Sequence, residues 1–179
     1  ISEAESYFWK STWYPGFQSA SYLYLAEMYW KQGKVKDALE AVDESIALSG
    51  KSTQSKFVKA HFLSTQGKKA EAVALLDENI ATDPVDFLSI IEKARILDNK
   101  DLAKHAITHM GIPLQEVIEV TTFYNAIGAW DDAVAILDFA MENGTPYSST
   151  PMQKNAVEPF TASPLLNYMA GWYSSQAGH

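Results

Sequence analysis

The chain has no cysteine, which excludes disulfides, thiolate catalysis and zinc–cysteine sites together. It also lacks any apolar run near the roughly 20 residues that a bilayer span requires. Positive charge is scarce: 14 Lys and Arg stand against 22 Asp and Glu, a net charge of −8. That balance argues against nucleic acid or an anionic membrane as partner, since both are held by neutralising phosphates with Lys and Arg. The opening Ile1-Ser2-Glu3-Ala4-Glu5 has neither the basic region nor the apolar stretch of a leader, so no signal peptide is expected and a cytoplasmic setting is favoured. Catalytic signatures are missing too. There is no Gly-rich phosphate loop, no His-Glu-x-x-His pattern and no Gly-x-Ser-x-Gly elbow. We therefore expect no enzyme activity, no cofactor and no metal.

What the sequence does have is a period. Ala4, Ala38, Ala72 and Ala106 are evenly spaced, each standing at the thirty-fourth position after the last. Phe8, Val42, Leu76 and Met110 keep the same phase, as do Ala26, Ala60 and Ala94. Gly33 and Gly67 mark a turn, with Tyr29, Leu63 and Leu97 four residues before the turn position. Small residues at a fixed phase let two antiparallel helices approach to about 8–10 Å at their crossing. Hydrophobic residues make up 47% of the chain, enough for a packed core without staples.

This pattern resembles the tetratricopeptide repeat, a helix–turn–helix unit that stacks into a solenoid. The resemblance implies an all-α fold, a right-handed superhelix of antiparallel helix pairs that starts and ends in partial repeats. Residues 1–16 read as the second helix of a partial unit, opened by a capping box at Ser2 and Glu5. Repeats then occupy 17–50, 51–84, 85–112 and 113–144. The helices are predicted near 18–32, 35–48, 53–66, 69–82, 86–97 and 100–110, with Asp98-Asn99-Lys100 replacing the glycine turn in the third repeat.

After Met110 the register breaks, and Pro113 opens a new first helix. Gly128 is its turn residue, and Ala133 follows Ala106 at a shorter interval than the period. The second helix of this repeat is predicted from about 130 to 142, stopped by Asn143-Gly144. Residues 145–163 read as a loop, with Pro146, Pro151 and Pro159 in it; two readings stand, one in which Tyr147 and Phe160 tuck it onto the helices and one in which Ser148, Ser149 and Thr150 keep it mobile. A final helix over about 164–176 has Gly171 at the small-residue position and Gly178 at the turn, and forms the first half of a further partial repeat. The apolar terminal helices are expected to pack on something beyond the solenoid, or to belong to a longer protein.

On the family's pattern the first helices line a concave groove where extended peptides bind. The groove positions are Leu23, Glu27 and Trp30; Phe57, His61 and Ser64; Ile91, Arg95 and Asp98; and Ile118, Thr122 and Asn125. Family members that clamp a C-terminal carboxylate use Lys and Asn at matching positions. This chain has Leu, Phe and Ile in place of Lys, so a carboxylate clamp is not expected. A hydrophobic or amphipathic segment fits better, and an equal alternative is that these side chains cover one another between units. His105 and His109, four apart on one helix with Glu116 and Glu119 beyond the turn, have metal-ligand spacing, though the ordinary role of such a pair is to complement a helix C-terminus.

Aromatics concentrate in the stretch from Tyr7 to Trp30. Trp9, Trp13, Tyr14 and Trp30 fall outside the packing phase, and Trp9, Trp13, Tyr14, Tyr168 and Trp172 form the candidate end interface. The function expected is a non-catalytic scaffold whose partner is a protein or peptide segment, or an upstream domain of the same polypeptide, with end-to-end self-association as another route. A second reading rests on Asp83-Pro84-Val85-Asp86-Phe87 and Ser163-Pro164-Leu165-Leu166-Asn167-Tyr168. These resemble unit junctions in large bacterial proteins whose helical repeats follow β-sandwich modules of carbohydrate-active type. That likeness implies an accessory C-terminal module.

Overall fold

A computed structural model describes residues 2–111, 113–143 and 163–179. Every regular element among them is an α-helix. The chain divides into two compact units, residues 1–96 and 97–179.

Unit 1 is built from α1 (Glu3–Ser11), α2 (Gln18–Lys31), α3 (Val35–Leu48), α4 (Thr53–Thr65), α5 (Lys69–Thr82) and most of α6 (Phe87–Leu97). Two hairpins, α2–α3 and α4–α5, lie within 17–50 and 51–84, and α1 packs on α2 while α3 packs on α4. Ala26, Ala38, Ala60 and Ala72 are fully buried, and Val42 and Leu76 with them. The small residues thus stand where helices meet, as the period requires. Ala60, Leu63, Ala72, Leu76 and Ile96 form one continuous cluster. Gly33 (φ 73°) and Gly67 (φ 81°) take the left-handed conformation at the turns. Behind each glycine the next amide bonds back to the carbonyl five residues earlier, Lys34 to Tyr29 and Lys68 to Leu63, the closing bond of a Schellman cap.

Departures from the period have local causes. Ala4 is exposed on α1, because no earlier helix lies against that face among the described residues. The capping box at Ser2 forms by half. Ser2 Oγ accepts from the Glu5 amide at 3.2 Å, but the Glu5 carboxylate accepts from the Tyr29 hydroxyl instead. In the third repeat α6 ends at Leu97, and Asp98 takes the left-handed turn position (φ 50°). Asn99 then caps α7 by accepting from the Leu102 amide. The helix stops short of the glycine phase, so Leu97 is half exposed and Ile96 enters the core in its place.

Unit 2 holds α7 (Lys100–His109), α8 (Pro113–Ala126), α9 (Trp130–Asn143) and α10 (Pro164–Ala177). Helix α9 packs on α7, α8 and α10. Ala106, Ala133, Ala140, Val117, Tyr124 and Leu137 are buried at these contacts. Gly128 (φ 74°) and Gly178 (φ 93°) are left-handed turn residues as expected. Gly171 is not a packing residue: it is exposed, and a Cβ placed on it would meet nothing within 4 Å. The expected loop, with Tyr147, Phe160 and its prolines, lies outside the described residues up to Ser163, which caps α10.

Candidate functional site

The groove positions of unit 1 are mostly interior. Leu23, Glu27, Phe57, His61 and Ile91 are buried, Trp30, Ser64 and Arg95 are half-buried, and Asp98 is exposed. Burial follows from the pairing of successive first helices. Trp30 of α2 stacks on Phe62 of α4, centroids 4.1 Å apart and nearly parallel. In unit 2, Ile118 is half-buried, Thr122 is exposed and bonds back to the Ile118 carbonyl, and Asn125 accepts from the Trp130 indole at 3.0 Å.

His61 and Arg95 hold matching places in α4 and α6, and the structure brings them together around a residue that the period did not single out. Glu92, fully buried on α6, receives both Arg95 donors, Nε at 2.7 Å and Nη2 at 2.6 Å. His61 Nδ1 lies 3.2 Å from the same carboxylate, and Arg95 Nη2 also donates to Ser64 Oγ at 2.9 Å. Burial alone would push the Glu92 carboxyl up. The hydrogen bonds from Arg95 and His61 outweigh it and hold the group at about 2. With its oxygens committed and no exposure, this group ties α4 to α6 and cannot meet a substrate. Its sequence signal was the Glu92–Arg95 spacing of three on one helix face.

Glu27, in the same phase on α2, has a different fate. It is 5% exposed and its Oε1 has no hydrogen-bond partner. Burial raises the carboxyl to about 7, and the Lys31 charge offsets only part of that rise.

The exposed aromatics sit elsewhere. On α1 and the turn to α2, Tyr7 (60% exposed), Trp13 (77%), Tyr14 (64%) and Phe17 (65%) face solvent. Trp9 is partly held: its indole N–H donates to Tyr29 Oη at 3.1 Å, and the Tyr29 hydroxyl donates to Glu5 at 2.9 Å. In unit 2, Tyr168 and Trp172 of α10 are exposed while Tyr173 and Leu166 face inward. The His105 and His109 rings lie with centroids 4.0 Å apart and tilted by 35°, both exposed, and His109 Nδ1 lies 2.8 Å from the His105 carbonyl. No three His, Asp or Glu side chains converge as metal ligands among the described residues. No helix among them is long and apolar enough to cross a membrane.

Sequence comparison adds one match. Residues 19–51, the α2–α3 hairpin, match the family described as Tetratricopeptide repeat. No curated protein matches the chain.

Proposed function

We propose that this chain, which belongs to the tetratricopeptide-repeat family, is a non-catalytic scaffold that holds a protein partner on the aromatic surface of α1 and the α1–α2 turn. Members of the family generally serve protein–protein interaction. The observation that carries the choice of surface is the exposure of Trp13, Tyr14 and Phe17 within one short turn. Contiguous large apolar groups seldom stay exposed on soluble monomers unless they bind something. Trp and Tyr suit such contacts because they cover much area with few torsions to freeze. The groove positions of α2, α4 and α6 offer less. Leu23, Phe57 and Ile91 already spend their apolar area on the core.

Site-specific photo-crosslinking in cells that express the chain tests this reading. A photoreactive phenylalanine at Tyr14 is expected to give one adduct of defined mass. The same group at the exposed position Glu78 should give none, and Trp13→Ser with Phe17→Ser should abolish the Tyr14 adduct. Equal adducts at both positions, or none at Tyr14, would contradict it.

A further inference from the structure

Helices α1, α2 and α3 enclose a cleft of about 500 Å³ whose walls are aromatic on one side and acidic on the other. Trp9, Tyr22 and Tyr29 supply the rings, and Asp37, Glu40 and Glu44 supply carboxylates from α3. The three acids stand at spacings of three and four, which puts them on one helix face. Trp9 and Tyr22 meet edge to face at 5.9 Å, and the Trp9–Tyr29–Glu5 hydrogen-bond chain fixes the indole and the Tyr29 ring. That chain engages the Trp9 N–H and the Tyr29 O–H, so what these two residues add to the cleft is ring surface with its polar tips already bonded. An aromatic face carries negative quadrupole density and attracts a cation within about 6 Å. The chain already shows this attraction: its own Lys34 ammonium lies over the Tyr29 ring, 5.4 Å from the centroid. Lys36 sits 3.6 Å from Glu40, but both side chains are largely exposed and such a pair is weak.

We propose that this cleft receives a lysine or arginine side chain from a basic segment of the partner protein. The inference rests on reading the chain as a protein-binding scaffold. Ring faces opposite carboxylates satisfy an ammonium or guanidinium on both sides, and neither an anion nor a neutral apolar group would gain from the acids. A cleft of this size takes a long side chain together with its adjoining backbone. The net charge of −8 draws a basic segment toward the chain before contact.

The test is a nitrogen–proton NMR titration of the whole chain, following the Trp9 indole signal. The probes are a capped glycine–arginine–glycine peptide, its lysine analogue, its neutral citrulline analogue and free arginine amide. The Trp9 signal is expected to shift saturably with the arginine and lysine peptides and to need at least tenfold more of the citrulline peptide. A triple variant, Asp37→Asn, Glu40→Gln and Glu44→Gln, should lose the response, with the remaining indole signals reporting that the fold persists. An unmoved Trp9 signal, an equal response to citrulline, or an unchanged response in the folded triple variant overturns the proposal. Free arginine amide binding as tightly as the peptide overturns the choice of a polypeptide occupant. A silent Trp9 with the Tyr14 crosslink intact removes only the cleft. A responsive Trp9 with no Tyr14 crosslink removes only the aromatic contact surface.

Discussion

Ser45 and Asn79, one repeat period apart, do the same work in successive helix pairs. Ser45 Oγ donates to the Ser19 carbonyl at 2.8 Å and meets Ser55 Oγ at 2.9 Å. Asn79 Nδ2 reaches the Thr53 carbonyl at 2.9 Å and Ser89 Oγ at 3.0 Å. Each residue thus joins its own first helix to the first helix of the next pair. The helix-capping residues follow suit: Ser52 bonds Ser55, and Asp86 bonds Ser89. Outside this buried relay, Lys59–Asp43 and Lys93–Asp77 repeat an ion pair at the same phase. Apolar packing tolerates sliding of one helix pair on another. A directional polar bond in a dry interface does not, so the relay fixes the register of stacking.

Truncating the relay should therefore be costly. Asn79→Ala leaves the Thr53 carbonyl and Ser89 hydroxyl short of a donor in a buried site, a loss of about 1–3 kcal/mol. Asn79→Ser, which copies the neighbouring pair, should recover part of it. Urea unfolding midpoints at constant slope give the comparison. Equal midpoints for wild type and Asn79→Ala would remove the relay from the account.

The alanine phase has its own check. Ala72 is fully buried within the α4–α5 core cluster, so Ala72→Leu forces extra methylenes into a closed contact, at about 1–3 kcal/mol. The same change at the exposed Ala4 should have little effect. If thermal unfolding shifts equally for the two, the crossing is not where the period places it.

Glu27 makes stability fall as pH rises. Its folded carboxyl titrates at about 7 against an ordinary value of 4.5, so between those values the folded state holds a proton that the unfolded chain has lost. Each unit of pH across that window removes stability, to a total of at most about 3 kcal/mol. Glu27→Gln should flatten the profile from pH 4.5 to 7 and raise the melting temperature above pH 7. A wild-type profile already flat across that window would contradict the assignment.

Glu92 has the opposite sign. Its folded value of about 2 lies below 4.5, so its contribution is present above pH 4.5 and disappears as pH falls toward 2. Arg95→Met removes both guanidinium hydrogen bonds from a fully buried carboxylate and should cost on the order of 3 kcal/mol at neutral pH. The penalty should shrink on acidification, because the protonated acid no longer needs the guanidinium. A penalty independent of pH from 6 to 3 would show that Arg95 acts through packing alone.

Helix boundaries were legible because alanine phase and glycine turns agree along α2, α3, α4 and α5. Leu97 and Gly171 were misplaced for the same reason. The period assigns a residue to a face, but an early helix end or a missing neighbour decides whether anything covers that face. Hydrophobic phase also hid Ser45, Asn79 and Glu92. Read for polar residues, the same interval pairs Ser45 with Asn79 and Ser55 with Ser89, and would have found the relay. The apolar groove residues of unit 1 were in phase but not in solvent: Leu23, Phe57 and Ile91 mark first helices, and only the packing of neighbouring helices shows that they are enclosed. The aromatic cleft had no linear signal, since Trp9, Tyr29 and Glu40 come from three helices.

The contact surface can be mapped most directly by hydrogen exchange, measured on the chain alone and with the partner captured at Tyr14. The account predicts slowed exchange confined to Glu3–Ser11, the turn through Phe17, the adjoining start of α2 and the part of α3 that lines the cleft, Asp37 to Glu44. Protection of Ile118–Asn125 in α8, with α1 unchanged, would place the partner on the groove face of unit 2 and contradict the aromatic surface.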